Sequence, residues 1–129
     1  MHIYVAVMVC GRPAYTALSA RSFPRGDNMT VHVFPDRCDA LDLSRMYAPA
    51  VIHNIPANRL GADENIRRAV GAFLESDSDV VVLLDSDGLL ARRWYEDLRS
   101  VLPFTAGILG LYNSDAHKTI ENQTPHLCK

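Results

Sequence analysis

Asp85 and Asp87 stand one residue apart in the stretch VVVLLDSDG, directly after the apolar run Val80–Leu84. Two carboxylates this close stay ionised together only where positive charge or hydrogen-bond donors offset their repulsion. A hard divalent cation, Mg²⁺ or Mn²⁺, held by one or two carboxylates and completed by phosphate oxygens, would do that. A turn would also do it, with Asp85 capping a following helix and Asp87 solvated beside Gly88. The elements around the pair bear on which reading holds.

The apolar run before the pair has the character of a strand covered on both faces, as parallel sheets require, so Val80–Leu84 is expected to be a central strand. An earlier strand is expected from the alternating Ile3, Val5, Val7 and Val9. Gly11 permits a tight turn after it, and Pro13 suits the first position of a helix. Tyr15, Leu18 and Phe23 then give a short, weakly patterned helix, ended by PRGDN. MTVHVF reads as a second strand running into PDRCD, LDLSRMYA as a helical turn, and AVIHNI as a short third strand. The clearest helix follows, with Ile66, Ala69, Val70, Phe73 and Leu74 at helical spacing and Asp63 and Glu64 in its first turn. Beyond the aspartates, Trp94, Leu98, Val101 and Leu102 mark another helix stopped by Pro103, and AGILGLY a last strand. The tail from Asn113 shows no clear period. The order β-α-β-β-α-β-α-β predicts one α/β domain over 1–129, a mostly parallel sheet with helices on both faces. Ligands of such sheets bind beyond the carboxyl ends of the strands. Arg12, Asp36, Asp39, Asp85 and Asp87 are all expected at that edge.

With 129 residues, 48% of them hydrophobic, the chain can bury a core without staples. A net charge of −2 gives no electrostatic case for nucleic acid or an anionic membrane. Cys10, Cys38 and Cys128 are odd in number and widely spaced, which fits reduced thiols and a cytoplasmic location. The start, MHIYVAVMVC, lacks the basic region of a signal peptide, and no stretch approaches the roughly 20 apolar residues of a membrane span. In a cytoplasmic chain the N-x-T sequons at Asn28 and Asn122 carry no meaning.

Taken in order, VAVMVCGRPAY, VFPDRCD, NRLGADENIRRAV, VVLLDSDGLLARRWYEDL and AGILGLYNSD resemble the donor-nucleotide half of GT-A-type glycosyltransferases, family 2-like enzymes with a D-x-D motif. The likeness runs over about residues 3–115. It implies a three-layer, Rossmann-like GT-A fold and a nucleotide-diphosphate sugar as ligand, uridine-linked, with an acceptor of unknown identity. It implies that Asp87 binds Mn²⁺ or Mg²⁺ bridging the diphosphate, and that Asp85 faces the ribose or shares the metal. The acid that accepts from the base would be Asp36 or Asp39, since PDRCD lacks the family's adjacent acid pair. Arg12 and Asn65 would stand near the nucleotide. The chain stops soon after LYNSDAHKTIENQ, which leaves the family's acceptor-binding half, with its catalytic base, unaccounted for. Asp115 and His117 are polar residues of that last stretch that could be drafted as base or ligand, and none is assigned.

In such a transfer the cation would offset the leaving diphosphate's growing charge. Two other classes fit parts of the pattern. LLDSDG locally resembles the D-x-D-G of haloacid-dehalogenase-like phosphatases, where the first aspartate is a nucleophile. That motif normally sits on the opening strand, whereas five elements of this order precede it here. A non-catalytic nucleotide-binding module is the other alternative, and affinity without turnover would identify it.

Overall fold

The computed structural model describes residues 1–23, 26–37, 42–90 and 92–102. The chain divides into two units, Met1–Arg92 and Arg93–Lys129, each taken by itself below.

The first unit is built on four parallel strands: β1 (Ile3–Val9), β2 (Met29–Pro35), β3 (Val51–Ile52) and β4 (Val80–Asp85). Their order across the sheet is β3-β2-β1-β4. Between them lie α1 (Pro13–Ser22), α2 (Leu43–Tyr47) and α3 (Ala62–Leu74). The register sets Val5 between Val31 and Val82, and Ala6 between His32 and Leu83. An α/β fold with an all-parallel sheet is therefore what these residues form, as their periodicities predict.

Period-2 alternation sends the two sets of β1 side chains to opposite faces. On one face Tyr4, Ala6 and Phe34 pack with Ala69 of α3, joined by Met8, Ala72, Phe73 and Val81. On the other, Val5, Val7, Val9, Val31 and Val33 are buried. There α2 packs against β2 and β3, and α1 against α2. Phe23, just after α1, meets Tyr47 edge-on at a ring distance of 5.4 Å. Each fully buried Val, Ile or Phe contributes about 1.5–3 kcal/mol, so a strand buried on both faces anchors the unit. That strand is β1.

Two expectations are revised here. Among the described residues β4 is the outer strand, not a central one, and its residues are half-buried or exposed, Leu83 at 41%. Residues 106–112, expected as a last strand, lie outside the described residues. The apolar stripe of α3 faces the core only in part: Ala69 is buried and Phe73 packs against the core, but Ile66 is 37% and Leu74 74% exposed. Asn65 takes the inward place, because its amide Nδ2 donates to the Phe34 carbonyl at 2.9 Å. This side-chain hydrogen bond, added to a carbonyl of the β1–β2 ladder, contributes about 0.5–1.5 kcal/mol and gives a polar residue a place in the interior.

In α1 the weak pattern has a similar cause. Tyr15 and Leu18 are exposed while Thr16, Ser19 and Ala20 are buried. Small polar residues form the inner side of this helix, and two of its serines turn out to matter for the site.

The second unit contains α4 (Trp94–Val101), the helix expected from its amphipathic spacing. Glu96 and Asp97 fall in its first turn and Arg99 in its last, where the helix dipole favours them. The Arg99 guanidinium lies over the Tyr95 ring at 5.7 Å. No described helix is long and apolar enough to cross a membrane.

Candidate functional site

The strand order fixes where a crevice opens. From β1 the chain crosses to β2 on one side, while β4 pairs with β1 on the other. Between β1 and β4 the order therefore reverses, and the space beyond their carboxyl ends is where ligands of such sheets bind. Met8 stands beside Asp85 in the register, so the turn after β1 and the turn after β4 are neighbours. Those turns carry Cys10, Gly11 and Arg12 on one side, and Asp85, Ser86, Asp87 and Gly88 on the other.

The first turn is shaped by two successive residues of positive φ, Gly11 at 73° and Arg12 at 51°. Glycine takes that conformation freely, but Arg12 is held there against a cost of about 1–2 kcal/mol. The buried Thr16 supplies the hold: its hydroxyl donates to the Gly11 carbonyl and its N–H to the Arg12 carbonyl, each at 2.9 Å. Pro13 follows at the start of α1, needing no partner for an N–H it lacks. The result aims the Arg12 side chain across the gap. Its Nη1 donates to Asp87 Oδ2 at 2.9 Å, with both side chains largely in solvent.

The second turn is tied to the same helix. Ser19 Oγ donates to the Gly88 carbonyl at 2.5 Å, and Leu90 N–H donates to Ser22 Oγ at 3.1 Å. The inward serines of α1 thus fix the segment that carries Asp87. Asp85 and Asp87 are exposed, and Ser86 between them is buried.

Asp36 lies just beyond β2, its N–H donating to the Val9 carbonyl at 2.7 Å. It is only 2% exposed, and its two carboxylate oxygens accept from Leu60 N–H at 3.1 Å and Gly61 N–H at 3.0 Å. Asp36 therefore positions the loop that enters α3. Arg68 stands close by. Its guanidinium donates to the Pro35 carbonyl at 3.3 Å and to the Asn54 carbonyl, and lies over the Phe34 ring at 5.4 Å. Burial lowers the Arg68 pKa, and attraction to Asp36 acts against that. Asn65 faces this interior group rather than the crevice, its Oδ1 accepting from Arg68 at 3.5 Å.

Of the residues singled out by the sequence, Arg12, Asp85 and Asp87 are brought to one place. Asp36 is on the same edge with its carboxylate engaged, Asn65 is inside, and Asp39, Asp115 and His117 lie outside the described residues. The sequence reading overlooked Thr16, Ser19 and Ser22, although three hydroxyls on the inner side of a helix beside a glycine turn were a readable signal. It also overlooked a histidine pair. His32 Nδ1 and His53 Nε2 are 3.1 Å apart, with Tyr4 stacked on His32 at 3.8 Å and Phe34 on His53 at 4.0 Å. Burial first, then the nearby His53 and His2, push the His32 pKa down to about 4.

The donor set at the crevice is hard carboxylate oxygen, which suits Mg²⁺ or Mn²⁺ over softer metals. No group of three or more His, Cys, Asp or Glu side chains converges on a metal position among the described residues. Two exposed carboxylates at a strand end fit a cation whose remaining positions are filled by water and ligand oxygens, and do not fit an all-protein cage. No family model, no curated protein and no solved structure matches the chain.

Proposed function

We propose that the crevice between β1 and β4 binds a nucleoside diphosphate together with Mg²⁺ or Mn²⁺, and that the chain is the donor-binding part of a sugar-nucleotide transferase. The observation that carries this reading is the gathering of Arg12, Asp85 and Asp87 at the one place where the strand order reverses. A bound divalent cation would offset the charge that grows on the diphosphate as the sugar leaves. Asp87 and Asp85 would hold that cation from a strand end whose turn is already fixed by Ser19 and Ser22. Arg12 would offer the phosphates a planar, two-pronged donor. Asp36 acts at a distance by fixing Leu60 and Gly61, the backbone beside which a base would lie.

Support for the sugar rests on the ordered resemblance of the motifs to GT-A enzymes, and the uridine base on the same ground. The test is isothermal titration of the chain with uridine diphosphate, with and without Mn²⁺. Binding that strengthens at least tenfold with Mn²⁺ supports the reading. Equal binding in both conditions, or none in either, would remove it.

A further inference from the structure

Asp87 already has a cation beside it, and that cation belongs to the chain. The Arg12 guanidinium sits 2.9 Å from Asp87 Oδ2. This contact is prepared from both sides by α1, which holds the left-handed Gly11–Arg12 backbone through Thr16 and the Asp87 turn through Ser19 and Ser22. A backbone strained at one residue and a partner turn pinned at two points indicate a contact selected by the surrounding structure. Yet the pair itself is weak. Arg12 and Asp87 side chains are 67% and 45% exposed, and ion pairs in such surroundings are easily given up.

A divalent ion and a guanidinium cannot both press on one carboxylate without repelling each other across a few ångströms. A cation arriving alone therefore competes with Arg12 for the Asp87 carboxylate, and where it wins it leaves the guanidinium without that partner. A cation arriving with a diphosphate faces no such loss, because the displaced guanidinium finds phosphate oxygens a short swing away.

We propose that Arg12 is an exchangeable counter-ion: it occupies Asp87 in the unliganded protein and passes to the diphosphate when a divalent cation takes its place. This deepens the nucleotide-binding reading and rests on it. Its consequence is that cation and diphosphate each raise the other's affinity by the same factor, a reciprocity required by linkage. The site would then favour cation and diphosphate together over free cation.

The test compares wild type, Arg12→Gln and Arg12→Lys, using Mn²⁺ alone, followed by electron paramagnetic resonance, and uridine diphosphate at saturating Mn²⁺, followed by calorimetry. Arg12→Gln removes the competing charge, so it should bind Mn²⁺ alone about two- to fivefold more tightly than wild type, in keeping with the small worth of an exposed pair. The same variant should bind uridine diphosphate about tenfold or more weakly, a loss typical of a charged hydrogen bond to phosphate. Arg12→Lys keeps the charge and should resemble wild type with Mn²⁺ alone, which separates charge from any effect on folding. Arg12→Gln binding Mn²⁺ alone no more tightly than wild type, while wild type still gains uridine diphosphate affinity from Mn²⁺, would overturn the exchange and leave the nucleotide site standing. Wild type gaining nothing from Mn²⁺ would overturn both.

Discussion

Asn65 donates its amide to the Phe34 carbonyl from a position only 3% exposed, in a helix whose apolar residues partly face outward. Asn65→Ala would remove this buried side-chain hydrogen bond to a carbonyl that also sits in the β1–β2 ladder, at a cost of about 0.5–1.5 kcal/mol. Denaturant unfolding should register that loss, while Mn²⁺-dependent binding of uridine diphosphate should stay within about twofold of wild type. A variant as stable as wild type with weakened nucleotide binding would instead place Asn65 at the ligand. At this scale the sequence was a good guide to charge and a poor one to hydrogen bonds. Asp85 and Asp87 stood out because carboxylates after an apolar run need an explanation. Asp36 also stood out, but not its partners Leu60 and Gly61, whose N–H groups carry no sequence mark and lie more than twenty positions away. The clustering of Ser19 and Ser22 on one side of α1 was readable, but their partners Gly88 and Leu90 were not, since a serine's partner depends on which turn the fold brings beside it.

Among the elements, β2 and β3 are joined by little regular pairing, because β3 is only Val51–Ile52. The His32–His53 contact adds a side-chain bond across that junction. The ring centroids are 5.4 Å apart for a nitrogen separation of 3.1 Å, so the two nitrogens point at each other. One ring must donate and the other accept, which only an incompletely protonated pair can do. The groups facing the pair are His2 and Tyr4 of the first strand and its lead-in, and Arg68 of α3. Burial and then Arg68 lower the His53 pKa as well. With the folded His32 pKa near 4 against 6.5 unfolded, the unfolded chain binds the extra proton between those values. The stabilisation is therefore complete above about pH 6.5 and is lost as pH falls toward 4. After discounting for partial exposure the loss is of order 1–2 kcal/mol. Urea midpoints measured from pH 7.5 to 4.5 should fall through this window, and His32→Phe should flatten the curve. A wild-type midpoint independent of pH would contradict this account of the pair. Element type and order were legible from periodicity in β1, β2, α3 and β4. Facing was less so: β4 carries the apolar run of a covered strand yet is the outer strand among those described, and α3 buries Asn65 beside Ala69 while Ile66 and Leu74 stay exposed.

At the scale of the molecule, the four parallel strands among the described residues send their carboxyl ends to one edge, and the order β3-β2-β1-β4 opens that edge between β1 and β4. The sequence could predict the shared edge from strand direction alone. It could not predict which two strands flank the opening, because order across a sheet is a tertiary choice that no local pattern records. That choice brings Arg12 to Asp87 over a separation of 75 residues. The central claim is that the aspartates are tolerated together because a cation and a diphosphate complete the site. Scanning calorimetry of wild type and Asp87→Asn, with and without Mn²⁺ plus uridine diphosphate, tests it directly. At ligand about 100 times its dissociation constant, wild type should gain roughly 2.7 kcal/mol of stability by mass action, seen as a raised melting temperature. Asp87→Asn, equal in shape but lacking the charge, should lose most of that gain. A wild-type melting temperature indifferent to metal and nucleotide, or an Asp87→Asn protein that responds as fully as wild type, would contradict the account and leave LDSDG a turn at the end of β4.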